Sequence, residues 1–197
     1  MDIVYFPHPA LRFKSRDVTQ IDASFHRVVR EMFELMYAAK GIGLAANQVG
    51  LPLRFFLINP SGDPAIKEEE HVFINPVIRN RKGSAVGEEG CLSLPGLYGD
   101  VRRAEEIVIE AFNLQGEGIR GTLQDLDARV CQHELDHLDG VLFIDRLSEQ
   151  ARGELEPKLA EMKADWNYQQ QSGTAPGDQE LEQQLRAMAA AGRLSSV

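Results

Sequence analysis

The chain has 197 residues, 43% hydrophobic and 26% charged, which is enough for one globular domain with a substantial core and a short appendage. A formal net charge of −9 disfavours nonspecific nucleic-acid binding, and just two cysteines, Cys91 and Cys131, exclude a disulfide scaffold. The opening MDIVYFPHPALR lacks the charged-then-apolar layout of a secretory leader, and no apolar run reaches membrane-spanning length, so a cytoplasmic protein with no membrane or DNA binding is expected.

Pro7 and Pro9 keep residues 3–20 extended. A helix starts after Asp22, a good N-cap, carries Phe25, Val28, Val29, Met32, Phe33 and Met36 on one face, and stops at Gly41. GIGLAANQ at 41–48 lacks the Lys-Ser/Thr of a phosphate loop. It reads either as a tight turn against the core or as a strand edge approached by another backbone, with Gln48 aimed into a site. Residues 53–58 and 72–78 read as strands, and Arg79-Asn80-Arg81-Lys82 as a solvated basic turn. Residues 88–96 surround Cys91, and a lone cysteine in such a place is most often an inert small hydrophobe. Residues 107–112 and 118–123 form a hairpin.

The next helix starts near Thr122 or Asp125, presents Leu126, Val130, Leu135 and Leu138 at roughly helical spacing, and ends at Gly140. Inside it lies His133-Glu134-Leu135-Asp136-His137. Residues four apart stack on one helix face, so the two imidazoles can share a divalent metal, with Glu134 in reach of a bound water. An i,i+4 histidine pair also occurs on ordinary exposed helices. A metal needs a third protein ligand, and the long zinc-protease motif fails because Phe143 stands where its third histidine would be. Glu154, Glu156 and Cys91 remain as candidates. Residues 148–171 read as a helix interrupted or restarted at Pro157. A polar linker at 169–179 and a short, weakly ordered helix at 180–192 follow. Hairpins without alternating βαβ units predict an α+β fold, with largely antiparallel sheets packed around a central HExxH helix and a helix at the C-terminal end. The expected division is a catalytic domain at 1–168 and a polar tail at 169–197.

Three separated segments, GIGLAANQ at 41–48, EGCLS at 89–93 and QHELDH at 132–137, resemble in order and spacing the signature motifs of the peptide deformylases. The resemblance covers about residues 1–165 and leaves the tail without a counterpart. It implies a hydrolase that removes the formyl group from N-formylmethionyl peptides and nascent chains, releasing formate, with transient contact to the ribosome. Matched residue by residue, Cys91, His133 and His137 would be the metal ligands and Glu134 the general base and acid. Gln48 and the Leu92 backbone N–H would face the oxyanion, and Ile42, Gly43 and Gly90 would line the substrate backbone. Glu89 would pair with Arg103 beneath the ligand loop. The implied metal is Fe2+, with Zn2+, Ni2+ or Co2+ as substitutes.

The chain departs from the family pattern in two places. Leu97-Tyr98-Gly99 stands where an arginine is common, and residues 148–168 carry five acidic against three basic side chains, which weakens ribosome docking through that helix. Two other classes remain open on residues alone: a zinc endopeptidase using Glu154 or Glu156, and a metal-binding protein without turnover. The intact Glu134 argues against the second.

Overall fold

The computed structural model describes residues 1–191. Its elements in chain order are α1 (Ala23–Ala38), β1 (Gly43–Ala45), β2 (Phe55–Ile58), β3 (His71–Lys82), β4 (Ala85–Cys91) and β5 (Leu94–Arg103). These are followed by β6 (Glu106–Phe112), β7 (Gly118–Gln124), α2 (Asp125–Leu138), α3 (Glu149–Gln171) and α4 (Asp178–Ala191). The sheets are antiparallel throughout: β1-β2-β3-β6-β7 form one, and the β4-β5 hairpin forms the other. No helix among the described residues is long and apolar enough to cross a membrane.

The fully apolar run Phe55-Phe56-Leu57-Ile58 follows from burial on both faces. Side chains alternate along a strand, so Phe55 and Leu57 pack with Phe25, Val29 and Met32 of α1, while Phe56 and Ile58 pack with Val130, Cys131 and Leu135 of α2. The larger sheet is therefore sandwiched between the two helices. A third cluster joins the β4-β5 hairpin to the following chain, through Leu94, Leu97, Val101, Phe143, Ile144 and Leu159.

Asp22 caps α1 by accepting from the Phe25 N–H, as expected. β3 runs on through Arg79–Lys82, so the basic cluster is an exposed strand end and not a turn. Its register shifts where Asn75 has φ +53°, and the Asn75 side chain pairs with both the N–H and the C=O of Val18. Pro76 is tolerated at that irregularity. Helix α3 continues unbroken past Pro157: the carbonyl that Pro157 leaves without its N–H belongs to Gly153, which faces solvent.

The C-terminal segment differs from its expected form. Only the stretch between α3 and α4 is a linker, and α4 buries Leu181, Leu185 and Ala189 against the 3-10 turn at Pro9–Arg12. Those three residues fall at i, i+4 and i+8, a stripe too narrow to stand out from its Gln- and Ala-rich surroundings. Residue 192 and the end of the tail lie outside the described residues.

Gly140 ends α2 at φ +74°, and a Cβ there would meet the Arg12 carbonyl oxygen at 2.5 Å. Gly140→Ala should therefore lower stability by about 1–3 kcal/mol. Gly153→Ala, in an exposed helix interior with nothing within 4 Å of the new Cβ, should raise it by about 0.5–1 kcal/mol. Thermal unfolding of the two variants checks the opposite signs.

Candidate metal centre

Helix geometry stacks His133 above His137, with ring centroids 5.0 Å apart and Nε2 atoms 3.2 Å apart. Cys91 comes from the opposite side. It is the last residue of β4, paired with Leu94 across the two-residue turn Leu92-Ser93, and its Sγ lies 3.2 Å from His137 Nε2. Among the described residues, these three form the one group of candidate ligands, their ligating atoms all within 4.8 Å of one another. Three electron-pair donors converging on one point suit a cation between them, and a thiolate with two imidazoles suits zinc or iron. Glu154 and Glu156 are exposed on α3, Glu156 paired with Lys163 at 3.3 Å, so neither supplies a ligand.

A buried ionic network supports the donors. His133 Nδ1 lies 2.9 Å from Glu89 Oε2, a contact that leaves Nε2 facing the centre. Arg103 donates to both Glu89 oxygens, at 2.9 and 2.8 Å, and also to Asp136, which in turn takes both arms of Arg146. Arg129 adds a bond of 2.7 Å to Glu89 and donates to the carbonyls of Ala85, Gly87 and Val101, fastening α2 to the hairpin. Burial alone would raise the Glu89 carboxyl, but the Arg103 and His133 contacts hold it well below the usual range. Burial would lower His133, yet Cys91 and Glu89 outweigh it and hold that imidazole at about 10. His137, buried and facing the His133 and Arg103 charges, is pushed well down.

Gln48 sits in the 3-10 turn Ala46–Val49 that follows the edge strand β1, so GIGLAANQ combines a strand edge with a turn packed against the core. The Ala45 N–H donates to Gln48 Oε1 at 2.8 Å, which turns Nε2 towards Cys91 Sγ at 3.5 Å and Ser93 Oγ at 3.3 Å. Glu134 is buried on α2, and its Oε2 has no hydrogen-bond partner among the described residues. The carboxylate lies so close to Gly43 that any Cβ there would collide with Oε1, so the glycine is required by contact rather than by conformation. Burial pushes the Glu134 carboxyl up to about 7.

A cleft of about 610 Å³ opens over these groups. Ile42, Gly43, Gln48, Gly90, Leu92 and Glu134 all line it, as do Cys91 and His133, while His137 lies deeper. Sequence reasoning missed Arg129, Asp136 and Arg146 in the network, and Ile3 and Tyr5 in the cleft wall. Arg129 carried a signal, since it precedes His133 by four positions and so shares its helix face. The N-terminal residues carried none.

A Cys/His/His donor set with a buried carboxylate at the floor of a cleft could hold a metal ion and suits the chemistry of a metal-dependent hydrolase. The polypeptide deformylase family model matches residues 1–153, and the chain belongs to the peptide deformylase family. The peptide deformylase of Rhodopirellula baltica is 45% identical over 184 residues, covering 93% of this chain and 91% of that one. A chloroplastic/mitochondrial peptide deformylase of Arabidopsis thaliana is 36% identical over 193 residues, 98% of this chain and 69% of its own. Both matches run beyond α3, so the tail does have counterparts among relatives. Among solved structures, the Plasmodium falciparum enzyme superposes with a TM-score of 0.82 at 39% identity, covering 85% of this chain and 98% of its own. The Thermus thermophilus enzyme gives 0.75 at 43% identity, covering 82% and 95%. The protein is thus an enzyme that removes the N-terminal formyl group from nascent peptides.

Because the native state holds the Glu134 proton more tightly than the unfolded chain does, this group's contribution to stability falls as pH rises from about 4.5 to about 7. In chelator-stripped protein, Glu134→Gln should therefore be more stable than wild type at pH 8, by up to about 3 kcal/mol. The difference should shrink towards zero below the ordinary glutamate range. Urea unfolding of both proteins across that pH span checks it, and a constant difference would contradict the shift.

Proposed function

We propose that Cys91, His133 and His137 hold one divalent ion and that Glu134 is the general base and acid of formyl removal. The observation that carries this reading is the convergence of the three donors beside a buried carboxylate with an unpartnered oxygen. The ion is Fe2+ in the cytoplasm, with Zn2+, Ni2+ or Co2+ as substitutes, since thiolate and imidazole ligands accept all four. When bound, it supplies Lewis acidity, polarising the formyl carbonyl and lowering the pKa of water towards about 7.

The remaining work belongs to the chain. Glu134, with its carboxyl raised to about 7, is matched to taking a proton from the attacking water near neutral pH. It returns that proton to the leaving amine as the carbon–nitrogen bond breaks, which completes formate and a free N-terminus. Gln48 Nε2, fixed by the Ala45 bond, and the Leu92 N–H stabilise the oxyanion that develops on the formyl carbon. The peptide backbone lies between Ile42-Gly43 on one side and Gly90 on the other. The acidic excess on α3 disfavours docking on the ribosome through that helix, so a transient ribosome contact would be made through other surfaces.

Two measurements test this. Cys91→Ser should lose most of its metal, because a serine hydroxyl stays protonated and binds poorly, whereas Cys131→Ser should keep it. Cys131 faces the sheet, and burial pushes its thiol up. Equal metal in both variants by elemental analysis would remove Cys91 from the ligand set. Glu134→Gln should retain metal while formate release from a formyl-Met peptide falls about 10²–10⁴-fold, with KM changing much less. Near wild-type turnover by a metal-loaded Glu134→Gln protein would take Glu134 out of the mechanism.

A further inference from the structure

We propose that α4 is a positioning element for the substrate cleft, acting through the N-terminal strap of residues 3–12. The inference rests on this cleft being the one that takes the peptide. Ile3 and Tyr5 line it, and Tyr5 is 53% exposed, so its ring stands at the mouth and not beside the buried donors. A group at the mouth meets the part of the peptide beyond the formyl-methionine.

The strap belongs to neither sheet. The Val4 N–H donates to the Gln48 carbonyl at 2.8 Å, and the Phe6 N–H to the Ser93 carbonyl at 3.0 Å. It thus bridges the two segments that carry Gln48 and Leu92. Extended backbone alternates its side chains, so Val4 and Phe6 turn away from the cleft into the cluster that includes Leu155 and Met162 of α3. Beyond Phe6 the C-terminal helices share the holding with the core, where Arg12 donates to the Gly140 carbonyl and to Asp145. Lys163 sits 5.9 Å over the Phe6 ring, and the His8 ring meets Trp166 edge-on at 5.4 Å.

Helix α4 closes this arrangement from outside. Leu181, Leu185 and Ala189 are buried, and the helix packs on the Pro9–Arg12 turn, where Ala10 and Leu11 have no exposed surface. Its start is tied to α3, since Asp178 accepts from Trp166 Nε1 at 2.9 Å and from Gln170 at 2.7 Å. Trp166 therefore touches the strap with one part of its ring and α4 with another. Because Arg12 is also held by Gly140 and Asp145, an undocked α4 would loosen the outer half of the strap without detaching it, and would leave the metal ligands and Glu134 in place.

The test uses full-length chains: wild type, Leu181→Ala/Leu185→Ala, Tyr5→Ala and the triple variant, each checked for metal and assayed well below its unfolding temperature. Substrates are a formyl-Met dipeptide and a formyl-Met pentapeptide. The α4 double variant should keep metal and leave the dipeptide constants within about twofold, while KM for the pentapeptide rises about three- to tenfold, as loss of an aromatic contact would give. Tyr5→Ala should raise the pentapeptide KM similarly, and the triple variant should be no worse than Tyr5→Ala alone, because both changes remove one contact. A merely structural α4 would lower the unfolding temperature and move both substrates together or neither. Either result, or effects that multiply in the triple variant, would overturn the proposal.

Discussion

The centre depends on one buried guanidinium. Arg103, at the end of β5, bridges Glu89 of β4 and Asp136 of α2, so the hairpin that presents Cys91 and the helix that presents both histidines are held by a shared positive charge. On a surface such pairs are worth little. Here the side chains of Arg103 and Glu89 are 4% and 5% exposed, so the pair is shielded from solvent screening and its charges are compensated within the network. Arg129 and Arg146 complete the set, and together they keep Glu89 ionised and bonded to His133. What the network secures is the direction of His133, whose Nε2 points to the place where the His137 Nε2 and the Cys91 sulfur also lie.

The layers explain how so polar a helix can be buried. Helix α2 turns Val130, Cys131, Leu135 and Leu138 to the sheet, and it is that apolar face which anchors it. The opposite face then meets the hairpin and the cleft, where its polar groups are satisfied one by one. Gln132 closes a pair of bonds with the Ala104 backbone at 3.1 and 2.9 Å, Arg129 caps three hairpin carbonyls, and Asp136 takes two arginines. The two cysteines show the contrast. Cys131 is packed among hydrocarbon with its thiol pushed up by burial, whereas Cys91 stands at a hairpin tip facing two imidazoles.

Much of this was legible in the residues. The HExxH spacing placed both histidines on one face of a helix, Asp22 and Gly140 marked helix ends, and the β6-β7 hairpin showed in its turn and β-branched residues. The β4-β5 hairpin did not show, because AVGEEGC and LPGLYGDVRR are rich in glycine and carry charges. Its order comes from Arg129 and from the packing of Leu94, Leu97 and Val101, none of it local in sequence. Composition alone does not tell which of Arg102 and Arg103 is buried, since that depends on strand alternation in a strand it conceals; the family resemblance named Arg103, and the pair with Glu89 is present. The α4 stripe was hidden for the same reason: its partner is the Pro9–Arg12 turn near the start of the sequence, and no local pattern announces a partner so distant.

That separation has a consequence for biosynthesis. The Pro9–Arg12 turn is made well before the helix that covers it, which is the last of the described elements in chain order. The sandwich of α1, the larger sheet and α2 can condense while synthesis is still under way, because its contacts all lie upstream of residue 139. The wall of the cleft cannot be finished then. It is completed when α4 packs over the Pro9–Arg12 turn, which Arg12 has by then already anchored to Gly140 and Asp145.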